Sequence, residues 1–383
     1  MNRTIRIISA CDSFKGSLSS REANLYVKSG VESVFPSAQV RCITIGDGGE
    51  GTMEAITDAT HATAVTCPAH DALMRPVDAR YAVSADGRTA IIEMAQAAGL
   101  TMLAHNERNP LYTTTYGVGD MIADALARGC RRLVVGLGGS ATNDGGAGML
   151  AALGFRFADT AGNTIAVPVG ADLSRIDSVT PPPPGKMPEG LEFILACDVT
   201  SPFVGSAGAA KVFSPQKGAS PAVVEQLEEG MRHLAEVYAA ASGRDISTTA
   251  GAGAAGGLAG GFIAMLGATV RSGIDLVLDL AGFDAAVADA DLVITGEGRL
   301  DTQTAMGKAP WGIMRRASAA GVPTVAIGGS VDDPGSIVGA GFLAAVPVVQ
   351  GPVSLQTAMQ TAVAADNVHN TAAMICRLFF RDV

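Results

Sequence analysis

Five glycine- or serine-rich stretches carry charged side chains: CDSFKGS (residues 11–17), GDGGEGT (46–52), GLGGSATNDGG (136–146), CDVTSPFVGSAGAA (197–210) and GEGRLDTQTAMGK (296–308). Taken singly, Asp-Gly and Asn-Asp-Gly steps are ordinary turn chemistry, and a lysine beside glycine is an ordinary solvated charge. Taken together they supply a set of tools. Glycine-rich turns that lead into helices present backbone N–H groups and a positive helix end to an anion. Lysines such as Lys15 and Lys308 can offset charge that spreads over a transferring phosphoryl group, while carboxylates hold Mg²⁺ or accept a hydroxyl proton. Phosphoryl transfer uses all three.

Such loops need a frame, and the chain supplies one. IRIISA, the amphipathic SSREANLYVKSGVESVF, VRCITI and TMEAITDAT alternate strand-like and helix-like patterns, as do DLVITG, APWGIMRRASAAG, VPTVAIGG, FLAAVPVV and the helix-like residues 355–379. That alternation predicts α/β architecture with mainly parallel sheets. Most of the five stretches follow a predicted strand, at the end where open α/β sheets bind ligands. Residues 61–93 read as three short strands, and a proline-rich loop near Pro181 interrupts a Gly- and Ala-rich middle. Both chain ends therefore build one Rossmann-like domain, residues 1–66 plus 285–383, with residues 67–284 inserted as a second α/β domain. A length of 383 residues agrees with two domains rather than one.

A net charge of −10 argues against a nucleic-acid partner, which requires a basic footprint. The six cysteines, scattered singly, form no zinc or disulfide pattern, and five isolated histidines have no metal-ligand spacing. A reducing, cytoplasmic setting fits that scatter. No apolar run of membrane-spanning length or signal-like start is present, so a soluble, unprocessed protein is expected, with no membrane partner and with a homodimer among the assemblies it permits.

Competing motifs are weaker. Gly136, Gly138 and Ala141 match the dinucleotide-binding Gly-x-Gly-x-x-Ala, and residues 251–256 match the full glycine form, so an NAD-dependent dehydrogenase of a small hydroxy acid is one alternative. The second match follows no apolar strand, and the first carries polar side chains beyond what a pyrophosphate needs. MGKAP is not a Walker motif, because Ala309 stands where the metal-binding hydroxyl belongs, and GGSAT lacks the last glycine of a nucleophile elbow.

Read in order, DSFKGSLSS, GDGGEGT, GLGGSATNDGGAGML, ACDVTSPFVGSAGAAKVFSPQKGA, GAGAAGGL and DLVITGEGRLDTQTAMGKAPWGI resemble the bacterial type I glycerate kinase family over nearly the whole chain. The resemblance implies two α/β domains, one discontinuous and Rossmann-like, with an active site in the cleft between them. It also implies phosphorylation of D-glycerate by ATP and Mg²⁺, with 2-phosphoglycerate favoured over 3-phosphoglycerate as product. Carried over residue by residue, Lys15 becomes a phosphate contact or charge stabiliser and Asp198 the carboxylate at the reacting hydroxyl. Ser13, Asp47, Glu50, Ser140, Asn143, Asp144, Lys217, Arg299 and Lys308 become substrate or phosphate contacts. Asp47, Asp144, Glu297 and Asp301 become candidate Mg²⁺ ligands, and Arg299 with the turn 140–143 candidates for the glycerate carboxylate. One departure stands out: Ser201 and Phe203 occupy places where the family usually has asparagine and leucine. A ligand sensor that kept the fold and lost turnover is the non-catalytic alternative.

Overall fold

The computed structural model describes residues 4–46, 52–302, 304 and 308–381. Strands are numbered in chain order through both of its compact units. In the first unit, β1 (Arg6–Cys11) is buried after its first residue, as a parallel strand covered on both faces must be. It pairs in parallel with β2 (Gln39–Cys42) and with β12 (Leu292–Leu300). Then β13 (Thr324–Val331) and β14 (Ala344–Pro347) complete the order β14-β13-β12-β1-β2. Chain order runs outward in one direction from β1 and in the other from β12, so the switch of direction lies between those two strands.

Local sequence explains the flanking helices. Ser19 caps the helix Ser20–Val34 in a capping box with Glu22, which satisfies donors that the first turn would otherwise leave open. That helix lies against the helix Thr361–Phe379 so closely that a Cβ on Gly30 would stand 2.1 Å from the His369 carbonyl oxygen. Ile7, Val27, Val31, Ile294, Ile327 and Val368 share the core beneath them. The pattern over residues 355–379 predicts one helix; the structure has two, Leu355–Ala358 and Thr361–Phe379, separated where Gln360 turns extended. In β12 the difference runs the other way. Residues 297–300 of the presumed fifth loop continue the strand, because Glu297, Arg299 and Leu300 keep their places opposite Gly328, Ser330 and Val331.

The second unit holds a six-stranded sheet made of β3 (Thr63–His70), β4 (Pro76–Val83), β5 (Thr89–Glu93), β6 (Arg132–Gly136), β10 (Glu192–Ala196) and β11 (Thr269–Arg271). The first three run antiparallel, and β5, β6, β10 and β11 run parallel. A small antiparallel sheet, β7 (Arg156–Ala158), β8 (Thr164–Ile165) and β9 (Ser178–Thr180), packs beside it, and Phe157 carries that sheet into the core of Ile92, Leu133, Val135 and Leu195.

The units divide between Thr60 and His61 and between Ser272 and Gly273, whereas the sequence pattern suggested 66/67 and 284/285. Pairing decides the first boundary, since β3 joins β4 along its whole length. Packing decides the second: the helix Gly273–Leu280 contacts the helices Thr52–Ala59 and Ala309–Ala319 of the first unit. Among the described residues no helix is long and apolar enough to cross a membrane, and all six cysteines are unpaired.

Candidate active site

In the first unit the switch between β1 and β12 is where an open parallel sheet leaves a crevice beyond its carboxyl ends, and the charged loops meet there. Asp12 ends β1 with its N–H donating to the Gly296 carbonyl at 2.8 Å, and its own carboxylate accepts from the Ser13 N–H at 2.6 Å. Beneath it, buried Asn24 ties the loop to the sheet. Its side-chain oxygen accepts from Ser9 Oγ and the Cys11 N–H, and its amide donates to the Ser20 and Ile43 carbonyls. Lys15 is exposed on that loop, close enough to β12 that a Cβ on Gly298 would lie 3.4 Å from the Lys15 backbone nitrogen.

From β12, Glu297 faces this loop. Thr304 Oγ1 donates to Glu297 Oε1 at 2.6 Å and Lys308 Nζ donates to Oε2 at 3.2 Å, with Asp301 4.0 Å from the same ammonium. Burial pushes the Glu297 carboxyl up, against the pull of Thr304 and Lys308. Asp301 and Thr304 close a short turn on each other, each backbone N–H donating to the other's side-chain oxygen. Lys308 then stands at the head of the helix Ala309–Ala319. A cavity of about 790 Å³ gathers Asp12, Ser13, Lys15, Glu297, Asp301 and Lys308 in its lining, within the size range of small-molecule and cofactor sites. Arg299 also lines it, with its guanidinium held by Asp332 at 2.5–2.9 Å. A second cavity of about 370 Å³ shares Asp12, Ser13 and Lys15. The sequence reading passed over Asp12 and Thr304. Asp12 closes a strand just as Asp198 does, and that position was its available signal.

In the second unit, β6 and β10 are adjacent, with Gly136 opposite Ala196, so the loops after them leave the sheet side by side. Asp198 lies exposed just past β10, and Ser140 is half-buried in the loop after β6. The neighbouring candidates have another job. Asp144 is wholly buried; Thr115 N–H and Oγ1 donate to it at 2.7 and 2.8 Å, and the Gly146 and Gly148 N–H groups at 3.2 Å. One carboxylate thus serves the starts of two helices, Tyr116–Ala127 and Ala147–Ala152, where negative charge is favoured. Burial pushes its carboxyl up, opposed by those same hydrogen bonds.

Lys217 is equally interior. Its amine donates to the Thr142 carbonyl at 2.6 Å, and burial brings it down to about 7, with Asp144 acting against that fall. Asn143 is buried, its side-chain oxygen accepting from Ser214 Oγ at 2.7 Å. Asp144 and Lys217, expected at metal and phosphate, have their polar atoms engaged in the interior, where they fasten the loop 137–146. Phe203 is core as well, its ring so close to Gly260 that a Cβ there would stand 2.3 Å away. Asp47 and Glu50 lie outside the described residues.

Among the described residues no three His, Cys, Asp or Glu side chains group to hold a metal ion. Mg²⁺ does not require such a cage, since it commonly takes one or two carboxylates and completes its shell with water and substrate phosphates. Glu297 and Asp301, two hard oxygen donors in the cavity that Lys15 and Lys308 line, fit that habit.

A parallel sheet whose switch point gathers lysines and carboxylates is the frame of a nucleotide- or phosphate-using enzyme, and relatives make the class specific. The model of the glycerate kinase family matches residues 7–380. A glycerate kinase of Bacillus subtilis (strain 168) is 43% identical over 369 residues, covering 96% of each chain. The glycerate 2-kinase of Escherichia coli (strain K12) is 40% identical over 334 residues, 87% of each. A crystal structure from Salmonella typhimurium LT2, provisionally assigned as glycerate kinase 2, superposes with a TM-score of 0.86 at 39% identity and 98% coverage of both chains. The chain belongs to the glycerate kinase family, and it is a kinase.

Proposed function

We propose that the protein transfers the γ-phosphoryl group of ATP to a hydroxyl of D-glycerate, giving 2-phosphoglycerate, in a reducing cytoplasmic setting that suits its six free cysteines. The observation that carries this reading is the joining of Lys15, Lys308, Glu297 and Asp301 in one cavity at the β1/β12 switch point, in a chain of this family. Catalysis of this kind rests on positioning and charge. Lys15, unburdened by burial, offsets charge on the transferring group. Lys308 does so from a fixed place, since Glu297 and Asp301 hold its ammonium. Glu297 and Asp301, with Asp47 as a further candidate, would hold Mg²⁺, which when bound neutralises phosphate oxygens. Ser13 and Glu50 complete the contacts of the first two loops. Asp198 orients the glycerate hydroxyl or accepts its proton, and Arg299 and the turn of Ser140 are the two candidates for the glycerate carboxylate.

Phosphorus NMR of the protein with ATP, Mg²⁺ and D-glycerate tests the reaction, because it separates the two phosphoglycerates. A 2-phosphoglycerate signal is expected; 3-phosphoglycerate would correct the regiochemistry. Absence of either, with ATP bound, would favour the sensor, and a nicotinamide-dependent absorbance change without Mg²⁺ would favour the dehydrogenase. Asp198→Asn is expected to lower kcat by about a hundredfold or more, the usual range for a proton-transfer group. An unchanged kcat removes Asp198 from the mechanism.

A further inference from the structure

The cavity at the switch point has a lining of two chemical kinds: charged groups, Lys15, Glu297, Asp301 and Lys308 among them, and an aliphatic set of Val348, Val353, Leu355 and Met359 with one amide, that of Asn367. Three of those apolar side chains are conspicuously open to solvent for their type: Leu355 is 76% exposed, Val353 49% and Met359 39%. A cluster of exposed aliphatic groups beside a polar cavity costs solvation unless something apolar covers it. Ser354 caps the short helix that carries Leu355, and just beyond it Thr361 Oγ1, at the start of the next helix, donates to the Ser17 carbonyl of the β1 loop at 3.2 Å. Met359 reaches the same loop, its terminal methyl 2.8 Å from where a Cβ of Gly16 would stand. The side-chain amide of Asn367 is half-buried and has no hydrogen-bond partner among the described residues.

The geometry points to a nucleobase seat: the aliphatic set takes the flat ring of an adenine nucleotide whose phosphates engage Lys15 and Lys308 of the same lining, and Asn367 reads the edge of that ring. This rests on the proposed use of ATP and adds the residues that select it. A flat heterocycle gains by covering aliphatic surface, and its edge still needs polar partners. An asparagine offers one acceptor and two donors on neighbouring atoms, which match the amino donor and ring-nitrogen acceptor of adenine together. Guanine presents two acceptors on the corresponding edge, so one of the two bonds is lost. Asn367 is thus a specificity-determining residue, and Leu355 with Met359 a platform.

Steady-state rates on the full chain, with D-glycerate as acceptor, test this by comparing ATP with GTP. The wild type is expected to favour ATP by about tenfold or more in kcat/KM, the discrimination of one good paired contact. Asn367→Leu is expected to bring the ratio near one by losing ATP, while inhibition by inorganic tripolyphosphate stays as it was. Leu355→Asp, at a position too exposed to endanger folding, is expected to weaken both nucleotides and to leave tripolyphosphate unaffected. No ATP preference, a preference that survives Asn367→Leu, or tripolyphosphate inhibition that falls in step with nucleotide would overturn the seat. If no nucleotide supports transfer, the functional reading fails separately. Calorimetric titration with AMP then decides the seat alone, since affinity lost in Asn367→Leu supports it and affinity retained overturns it.

Discussion

Asp144 and Lys217 show how polar side chains in a glycine loop can serve the loop itself. Removing the Asp144 carboxylate leaves the Thr115 and Gly148 donors facing an empty space in the interior. Asp144→Ala is therefore expected to lose ~3 kcal/mol or more of unfolding free energy in urea, since each buried unsatisfied group costs about 1–3 kcal/mol; a loss under about 1 kcal/mol would contradict the anchoring role. Lys217 carries a pH signature. Its folded value is about 7 against the usual 10.5, so between those values the unfolded chain holds a proton that the native one lacks. The lysine's contribution to stability consequently rises as pH rises through that window, by up to about 1.4 kcal/mol per pH unit. Lys217→Met, similar in size, removes the slope, and wild-type stability should gain on the variant from pH 7 toward pH 10. Parallel curves in chemical denaturation would contradict this. Sequence picks out both residues as chemically potent without separating the two roles, because a ligand contact and an internal fastening call for the same residue types. Only burial separates the two, and burial depends on which segments pack over the loop.

At the level of elements, apolar runs were enough to place β1, β12, β13 and β14, because the first three are largely buried parallel strands and the half-buried edge strand β14 still carries an apolar run with clear ends. The continuation of β12 was illegible. GEGR reads as a loop by composition, and it stays extended only because β13 lies alongside to pair with it. The helix pair Ser20–Val34 and Thr361–Phe379 depends on a feature that pattern reading does not weigh, the missing side chain of Gly30. Gly30→Ala drives a methyl against the His369 carbonyl, and overpacking of this kind costs about 1–3 kcal/mol. Gly339→Ala, where nothing lies within 4 Å of the added carbon, serves as the control and should leave the melting temperature essentially unchanged. Equal melting temperatures for the two variants would mean that the helices separate without cost.

Across the whole molecule, the first unit is assembled from both ends of the chain, and its sheet places β1 beside β12 although hundreds of residues separate them in sequence. That single adjacency brings Lys15 from one end and Lys308 from the other to the same cavity, which is why the two loops had meaning together and little apart. The order of the motifs conveyed the discontinuous plan; the boundaries followed from strand pairing and helix packing and so emerged only in three dimensions. If the cavity at the switch point is where the phosphoryl group is transferred, the charge of Lys308 is needed for chemistry while the fold is not. The most direct measurement is kcat/KM for ATP in Lys308→Met with D-glycerate as acceptor, alongside far-ultraviolet circular dichroism to show that the fold is kept. Loss of one positioned charge stabiliser predicts a fall of about a hundredfold or more with an unchanged spectrum, and a folded variant that retains kcat/KM within about twofold would contradict the assignment of the reaction to this cavity.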